Sequence, residues 1–323
     1  MFSLSSIYLY LPGLAWASTM PYPSGIWPML LAQSTTQTAE SSATDLNVFK
    51  SIVLGIVQGL TEFLPISSTA HMKAVPVALG WGDPGVAFTA IIQLGSIVAI
   101  VWYFWNDLTQ VVTGMVRAIA QSDYQSQDFR IGLGIVLGTL PIVICGLLMK
   151  ALIPDLDNSP IRSMGAIAIA SIVMALLLAL AETVGKRMRN LEKLGTQDGI
   201  IMGCAQALAL IPGVSRSGST LTAGLFMGLE RATAARFSFL LGIPAITLAG
   251  LVELAGLLET NVGGIGPVPL IAGLIASALS SYAAIAWLIR YLQNHNTWVF
   301  VWYRLGFGIA ILIALFTGVL QNG

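Results

Sequence analysis

Two polar interruptions of apolar sequence concentrate the residues of this chain that could do chemistry. The first, GIVQGLTEFLPISSTAH over residues 55–71, places Glu62 and His71 on either side of Ser67, Ser68 and Thr69. The second, ALIPGVSRSGST over 209–220, places Arg216 among Ser215, Ser217, Ser219 and Thr220. Charged and hydrogen-bonding side chains are costly at depth in hydrocarbon, so such clusters mark a site and not a plain span. Arg216 must meet an anion or a water-filled cavity, and its planar fork suits bidentate binding of phosphate. Gly213 and Gly218 let the backbone approach a ligand closely. A helix restarting after this break would aim its free N–H groups at the same point. The expected chemistry is recognition of a phosphate group between two interruptions that face one another inside a membrane.

Glu62 and His71 extend that chemistry beyond binding. Gln58 and Glu62 are spaced i, i+4 and share a helical face. Glu62 has three open roles: general base, ligand of a divalent ion, or partner of Arg216. His71 could relay protons or attack phosphorus directly, and one of Ser67, Ser68 and Thr69 is expected to cap the second arm. The remaining polar residues read as structural. Glu182 and Glu253 lie near span ends, where snorkelling accounts for them. His295 falls in a loop, and Cys145 and Cys204 read as buried free thiols. No CxxC or Cys/His cluster suggests a metal.

The elements that must position these residues follow from composition. Of 323 residues, 56% are hydrophobic and 9% charged, and the mean hydropathy is +0.81. Soluble domains carry roughly 25% charged residues, so this is an integral membrane protein. Zero net charge and the lack of a basic tract exclude nucleic acid as a partner. Spanning a bilayer takes about 20 apolar residues, and six stretches qualify: 86–106, 131–153, 161–182, 236–258, 266–290 and 299–321. The motif regions, 47–80 and 197–229, hold shorter apolar runs and read as re-entrant hairpins. Residues 107–120 place Leu108, Val111, Val112, Met115 and Ile119 on one face, as in a helix lying in the interface. Trp102, Trp105, Trp298 and Trp302 fit the aromatic belt. Residues 1–45 carry no Lys or Arg and include the polar run QSTTQTAESSAT. They read as a flexible N-terminal extension.

The two halves resemble each other. Gly55 and Gln58 match Gly203 and Gln206, Leu64-Pro65 matches Ile211-Pro212, Ser67 matches Ser215 and Phe88 matches Phe237, at an offset within one residue of 148. Three spans separate the hairpins, so the second copy would be inverted. The expected fold is all-α and polytopic: six transmembrane helices plus two re-entrant hairpins as inverted repeats, about 46–190 and 195–323, in one membrane domain of 46–323. Positive charge sets the orientation. Lys186, Arg187, Arg189 and Lys193 should be cytoplasmic, together with Arg117, Arg130, Arg231, Arg236, Arg290 and Arg304. Asp83, Asp155, Asp157 and Glu259 should lie outside, with the first hairpin on the outer side and the second on the inner.

At the level of motifs, Gln58-Gly-Leu-Thr-Glu62 fits (E/Q)xxxE, and Pro212-Gly-Val-Ser-Arg-Ser-Gly-Ser-Thr220 fits PGxSRSxxT. With FLPISSTAH, they resemble the undecaprenyl-diphosphatase family of the bacitracin-resistance type, from about Asn47 to the C-terminus. The resemblance implies a hydrolase that removes the terminal phosphate of undecaprenyl diphosphate and so recycles the lipid carrier for cell-wall synthesis. It implies a multi-pass protein of the bacterial plasma membrane with its site open to the outer face. The family's functional residues map to Glu62, Ser68, Thr69, His71, Ser215 and Arg216. Many members carry a second glutamate where this chain has Gln58, so a carboxylate pair holding Mg or Ca is not expected, and Glu62 alone would be the metal ligand. No organic cofactor is expected, and the partners are a polyprenyl diphosphate, the bilayer and, as an open alternative, a second copy of the chain. A transporter or flippase for an anionic prenyl lipid is the rival, since it would also want Arg216 and helix N-termini. It would not need a positioned base and nucleophile.

Overall fold

Asn47 starts the folded chain by accepting a hydrogen bond from the Lys50 N–H at 2.9 Å, which caps the first helix. The computed structural model describes residues 46–82, 84–153, 159–259 and 265–320. The expected N-terminal extension lies outside the described residues, as do Asp83, Asp155 and Asp157. Among the described residues the chain forms eleven helices and no strand beyond an isolated bridge between Arg189 and Leu229. They are α1 (Val48–Phe63), α2 (Ser68–Ala78), α3 (Val86–Tyr103), α4 (Trp105–Gln121), α5 (Gln127–Leu152) and α6 (Met164–Val184). After these come α7 (Thr196–Ala207), α8 (Arg216–Phe226), α9 (Arg231–Glu259), α10 (Pro267–Asn294) and α11 (Trp298–Phe316).

Five helices, α5, α6, α9, α10 and α11, are long and apolar enough to cross a membrane. The pair α3 and α4, bent by 67°, makes a sixth candidate. The chain is a multi-pass, all-helical membrane protein. The bend falls at Phe104, close to where hydrophobicity alone separated a span from an amphipathic helix. By contrast α2, α7 and α8 have 11, 12 and 11 residues. At about 1.5 Å per residue each covers only about half of a 30 Å hydrocarbon core.

Packing brings these short helices to the centre. α1 lies along α10, and α7 lies along α5. Both contacts need glycine. A Cβ at Gly55 would overlap the carbonyl oxygen of Gly273, and one at Gly203 would overlap that of Gly138. Small residues allow helices to approach this closely where lipid supplies no hydrophobic drive. At the other end of α1, Phe63 is fully buried and meets Phe239 edge-on with ring centroids 5.5 Å apart. That aromatic contact fixes the end of α1, where Glu62 is carried.

Two expectations change here. Glu182 does not snorkel; only 4% exposed, it accepts from the Thr297 hydroxyl at 2.8 Å, from Arg187 at 2.9 Å and from Arg231. A carboxylate can stay buried when cations and donors surround it, and this one joins the end of α6 to the starts of α9 and α11. Cys145 and Cys204 are exposed, not buried. Each lies on an outward helix face, where a thiol behaves as a small hydrophobe. Arg304, expected on the cytoplasmic side, is 1% exposed in the body of α11.

Candidate active site

The end of α1 and the start of α2 make the first half of the site. Within α1 the i, i+4 spacing lets the Gln58 side-chain amide donate to Glu62 Oε2 at 3.1 Å. Leu64 leaves the helix in an extended conformation, as expected of a residue before proline. Ser67 then takes φ 76°, ψ 100° before α2 begins at Ser68. The left-handed conformation costs a non-glycine residue about 1–3 kcal/mol and tends to persist where a site requires it. The turn brings Ser68 Oγ back onto Glu62 Oε2 at 2.7 Å. A hydroxyl and a carboxylate are thus paired across the break at hydrogen-bonding distance. Ser67 is the N-cap of α2 and makes no side-chain capping bond. Ser68 hydrogen-bonds Glu62, so of the three hydroxyls expected to cap this arm, neither serine does.

The second half repeats the geometry. α7 ends at Ala207, a 3-10 turn covers Leu208–Leu210, and Gly213 adopts φ +94°. A Cβ at Gly213 would also meet the Ile167 carbonyl oxygen. Ser215, the residue matched to Ser67, takes φ 72°, and its Oγ accepts from the Gly218 N–H at 3.1 Å to cap α8. The two breaks touch: Ser217 Oγ donates to the Leu64 carbonyl oxygen at 3.0 Å.

Arg216, the first residue of α8, points between them. Its Nη2 is 3.8 Å from Glu62 Oε1, beyond hydrogen-bonding distance. Its Nε, Nη1 and Nη2 are buried and have no hydrogen-bond partner among the described residues. A buried guanidinium without acceptors is strongly disfavoured, so this fork is set for an anionic ligand. Gly242 of α9 makes the room, since a Cβ there would occupy the position of the guanidinium.

A cavity of about 170 Å³ collects these groups. Glu62, Ser67, Ser68 and Thr69 line it from the first break, and Gly213, Ser215 and Arg216 from the second. Ile142, Ala245, Ile246 and Ala249 give it an apolar wall. A second cavity of about 370 Å³ shares Ser68, Thr69 and Gln93 with it and adds Gln58, Lys73, Arg162 and Glu253. Glu62 is the one carboxylate among the described residues that lines the first cavity. Among the described residues no group of three or more His, Cys, Asp or Glu forms a metal cage.

Other predicted site residues stand back from the cavity. Thr220 Oγ1 donates to the Arg216 carbonyl at 2.8 Å and also pairs with Ser238 of α9. Thr220, Ser217 and Gly218 therefore shape α8 and do not line the space. His71 is buried, with Nδ1 2.7 Å from the Ser67 carbonyl oxygen and Nε2 2.6 Å from the Tyr303 hydroxyl. A carbonyl only accepts, so Nδ1 carries hydrogen and donates to it. The ring stacks on Phe307 at 4.3 Å between centroids.

Sequence reasoning missed two neighbours supplied by α11. One is Tyr303, against His71. The other is Arg304, whose Nη1 donates to the Pro65 carbonyl at 3.0 Å and whose Nη2 donates to those of Gly213 and Val214 at 2.7 and 3.0 Å. An arginine six residues inside an apolar run was the available signal; positive-charge counting used it only to set orientation.

Fold and site together define a multi-pass helical membrane protein with a polar centre assembled from two helix breaks. The family model of the bacitracin resistance protein BacA matches residues 51–310, and the chain belongs to that family. It is 63% identical over 297 residues to an undecaprenyl-diphosphatase of Trichormus variabilis, covering 92% of this chain and 93% of the relative. A Synechocystis undecaprenyl-diphosphatase is 65% identical over 291 residues, 90% of this chain and 89% of the relative. One from Gloeobacter violaceus is 54% identical over 278 residues, 86% of this chain and 95% of the relative.

Proposed function

We propose that this chain hydrolyses undecaprenyl diphosphate to undecaprenyl phosphate and inorganic phosphate in the cavity between the two breaks. One observation carries the assignment. The Ser68–Glu62 pair and the unpartnered fork of Arg216 open on the same cavity, and that cavity has one apolar wall. A nucleophile held by a base beside an anion-binding fork suits phosphoryl transfer, and the apolar wall suits a prenyl chain.

In this mechanism Arg216 and the N-terminus of α8 hold the terminal phosphate. Glu62 accepts the proton of Ser68 Oγ as that oxygen bonds to phosphorus. The bond from phosphorus to the bridging oxygen breaks, and the lipid monophosphate leaves with the electron pair. Water then displaces Ser68 from phosphorus. Glu62 returns its proton to Ser68 Oγ, and the proton lost by the water goes to the released phosphate. Thr69 and Ser215 offer hydroxyls to phosphate oxygens. His71 positions Ser67 through its Nδ1 hydrogen bond. Were a hard cation such as Mg or Ca to bind, Glu62 is the carboxylate lining the cavity that would hold it, and the ion would supply charge neutralisation.

The topology we propose has six spans, counting α3, and two re-entrant hairpins, α1–α2 from the outside and α7–α8 from the cytoplasm, in inverted repeats of one membrane domain over 46–323. Two pairs of matched residues support the repeat. Ser67 and Ser215 share the left-handed conformation, and Gly55 and Gly203 both admit a facing helix. Contacts near the helix ends support the grouping of these segments by side, whichever side that is. Met188 and Arg189 bond to Gly228, Gln127 reaches Leu191, and Lys73 Nζ donates to the Arg162 carbonyl at 2.7 Å. In each case both partners fall on one side. The site then opens to the outer face of a bacterial plasma membrane, where removal of the lipid's terminal phosphate recycles the carrier and underlies bacitracin resistance. The direct test is phosphate release from undecaprenyl diphosphate by the purified protein in detergent. Turnover should far exceed that of inorganic pyrophosphate or a nucleotide, and equal turnover of all three would overturn the assignment.

A further inference from the structure

Breaking a helix inside a membrane leaves backbone carbonyls without partners, and each one costs free energy unless a donor reaches it. Pro65 in the first break and Gly213 and Val214 in the second are such carbonyls. All three are met by one side chain, Arg304, at 2.7–3.0 Å. Its Nε donates to a fourth carbonyl, Ser171 in α6, at 3.2 Å. The guanidinium is planar, with its donors at fixed angles, so it sets the spacing of the groups it joins.

We propose that Arg304 is a positioning residue of this site, a clamp that keeps the two breaks in register so that Ser68 on one faces Arg216 on the other. Pro65 lies three residues before Ser68, and Val214 lies two before Arg216. A shift of either carbonyl therefore moves a group that acts on phosphate. The preceding residue of α11 grips the first break a second time: Tyr303 holds His71, and His71 holds the Ser67 carbonyl. Arg304 does not line the cavity, and its effect is transmitted through backbone. A lysine would keep the charge, yet one nitrogen cannot reach four carbonyls on three segments.

The functional part of this inference rests on the phosphatase assignment, and the test separates the two. Arg304→Lys is made in the full chain and in an Arg216→Ala chain, and kcat/KM is measured for undecaprenyl diphosphate. Acting by alignment, Arg304→Lys lowers kcat/KM at least about 10-fold in the otherwise natural chain, but less than about 3-fold where Arg216 is already gone. A merely structural loss of folded protein would cost the same factor in both, and that result overturns the proposal. Hydrogen exchange supplies a readout that needs no turnover. Arg304→Lys should speed exchange across residues 64–68 and 211–216 together, and unchanged exchange in either break overturns the clamp even if the natural chain proves inactive. Should Arg304→Lys fail to insert, Gly218→Ala replaces it. Its Cβ would lie 2.9 Å from Arg304 Nη1, and the same overlapping loss is expected.

Discussion

Arg216 and Glu62 face each other at 3.8 Å without a hydrogen bond. The two charges form an ion pair, but no hydrogen bond joins them. Glu62 directs Oε2 to Ser68 and Gln58, and every Arg216 N–H donor is left without an acceptor among the described residues. In the proposed mechanism this separation would let Glu62 receive a proton while Arg216 binds phosphate.

Removing either member of the Ser68–Glu62 pair should stop chemistry and leave binding largely intact. Ser68→Ala and Glu62→Gln are each expected to lower kcat by about 100-fold or more, as loss of a positioned nucleophile or base does. Steady-state phosphate release from the prenyl diphosphate measures this, and KM should change much less than kcat. An unchanged kcat for Ser68→Ala would transfer the attack to water.

Gly242 is a residue no motif singled out. Gly242→Ala puts a methyl where the Arg216 guanidinium lies, so the variant should fold yet lose about 10-fold or more in kcat/KM, because small displacements of positioned groups are costly. Activity near that of the natural chain would mean that the guanidinium can sit elsewhere.

How much of this was legible in the sequence depends on distance along the chain. The breaks were readable because Leu64-Pro65, Ile211-Pro212 and the serine clusters interrupt apolar runs locally. Gln58 and Glu62 were readable as one face because helical spacing fixes it. Ser67 and Ser215 could be matched, but the positive φ they share is a property of the folded turn. Tyr303 and Gly242 were not legible, since each meets its partner from a helix distant in sequence. Arg304 stood out as an arginine inside an apolar run, but its partners on three other segments did not. Glu182 was misread for the same reason: its partners Arg231 and Thr297 come from elements that follow much later. Hydrophobicity also could not say which side of α5 or α7 faces outward, and so it hid Cys145 and Cys204.

The Glu182 cluster should matter for stability and not for chemistry. Glu182→Gln leaves Arg231 and Arg187 beside a neutral side chain, and breaking a buried pair costs about 3–5 kcal/mol. A lowered melting temperature in detergent, with kcat per folded molecule nearly unchanged, is the expected outcome. A fall in kcat at full stability would instead tie this cluster to the reaction.

Sidedness is open to direct labelling. With Cys145 and Cys204 replaced by alanine, a cysteine at Leu79, which is exposed, should react with an impermeant reagent added outside intact cells. One at Lys193 should react only after the membrane is opened. The opposite pattern would invert the molecule and place the first break on the cytoplasmic side.

The central claim is that the unpaired fork of Arg216 binds the phosphate under attack, and Arg216→Lys tests it most directly. Lysine retains the charge and loses the bidentate geometry. For correctly inserted protein, kcat/KM for undecaprenyl diphosphate should fall at least about 100-fold, equivalent to about 2.7 kcal/mol of transition-state stabilisation. Near-normal turnover by Arg216→Lys would contradict the account and leave Arg216 as a counter-ion to Glu62.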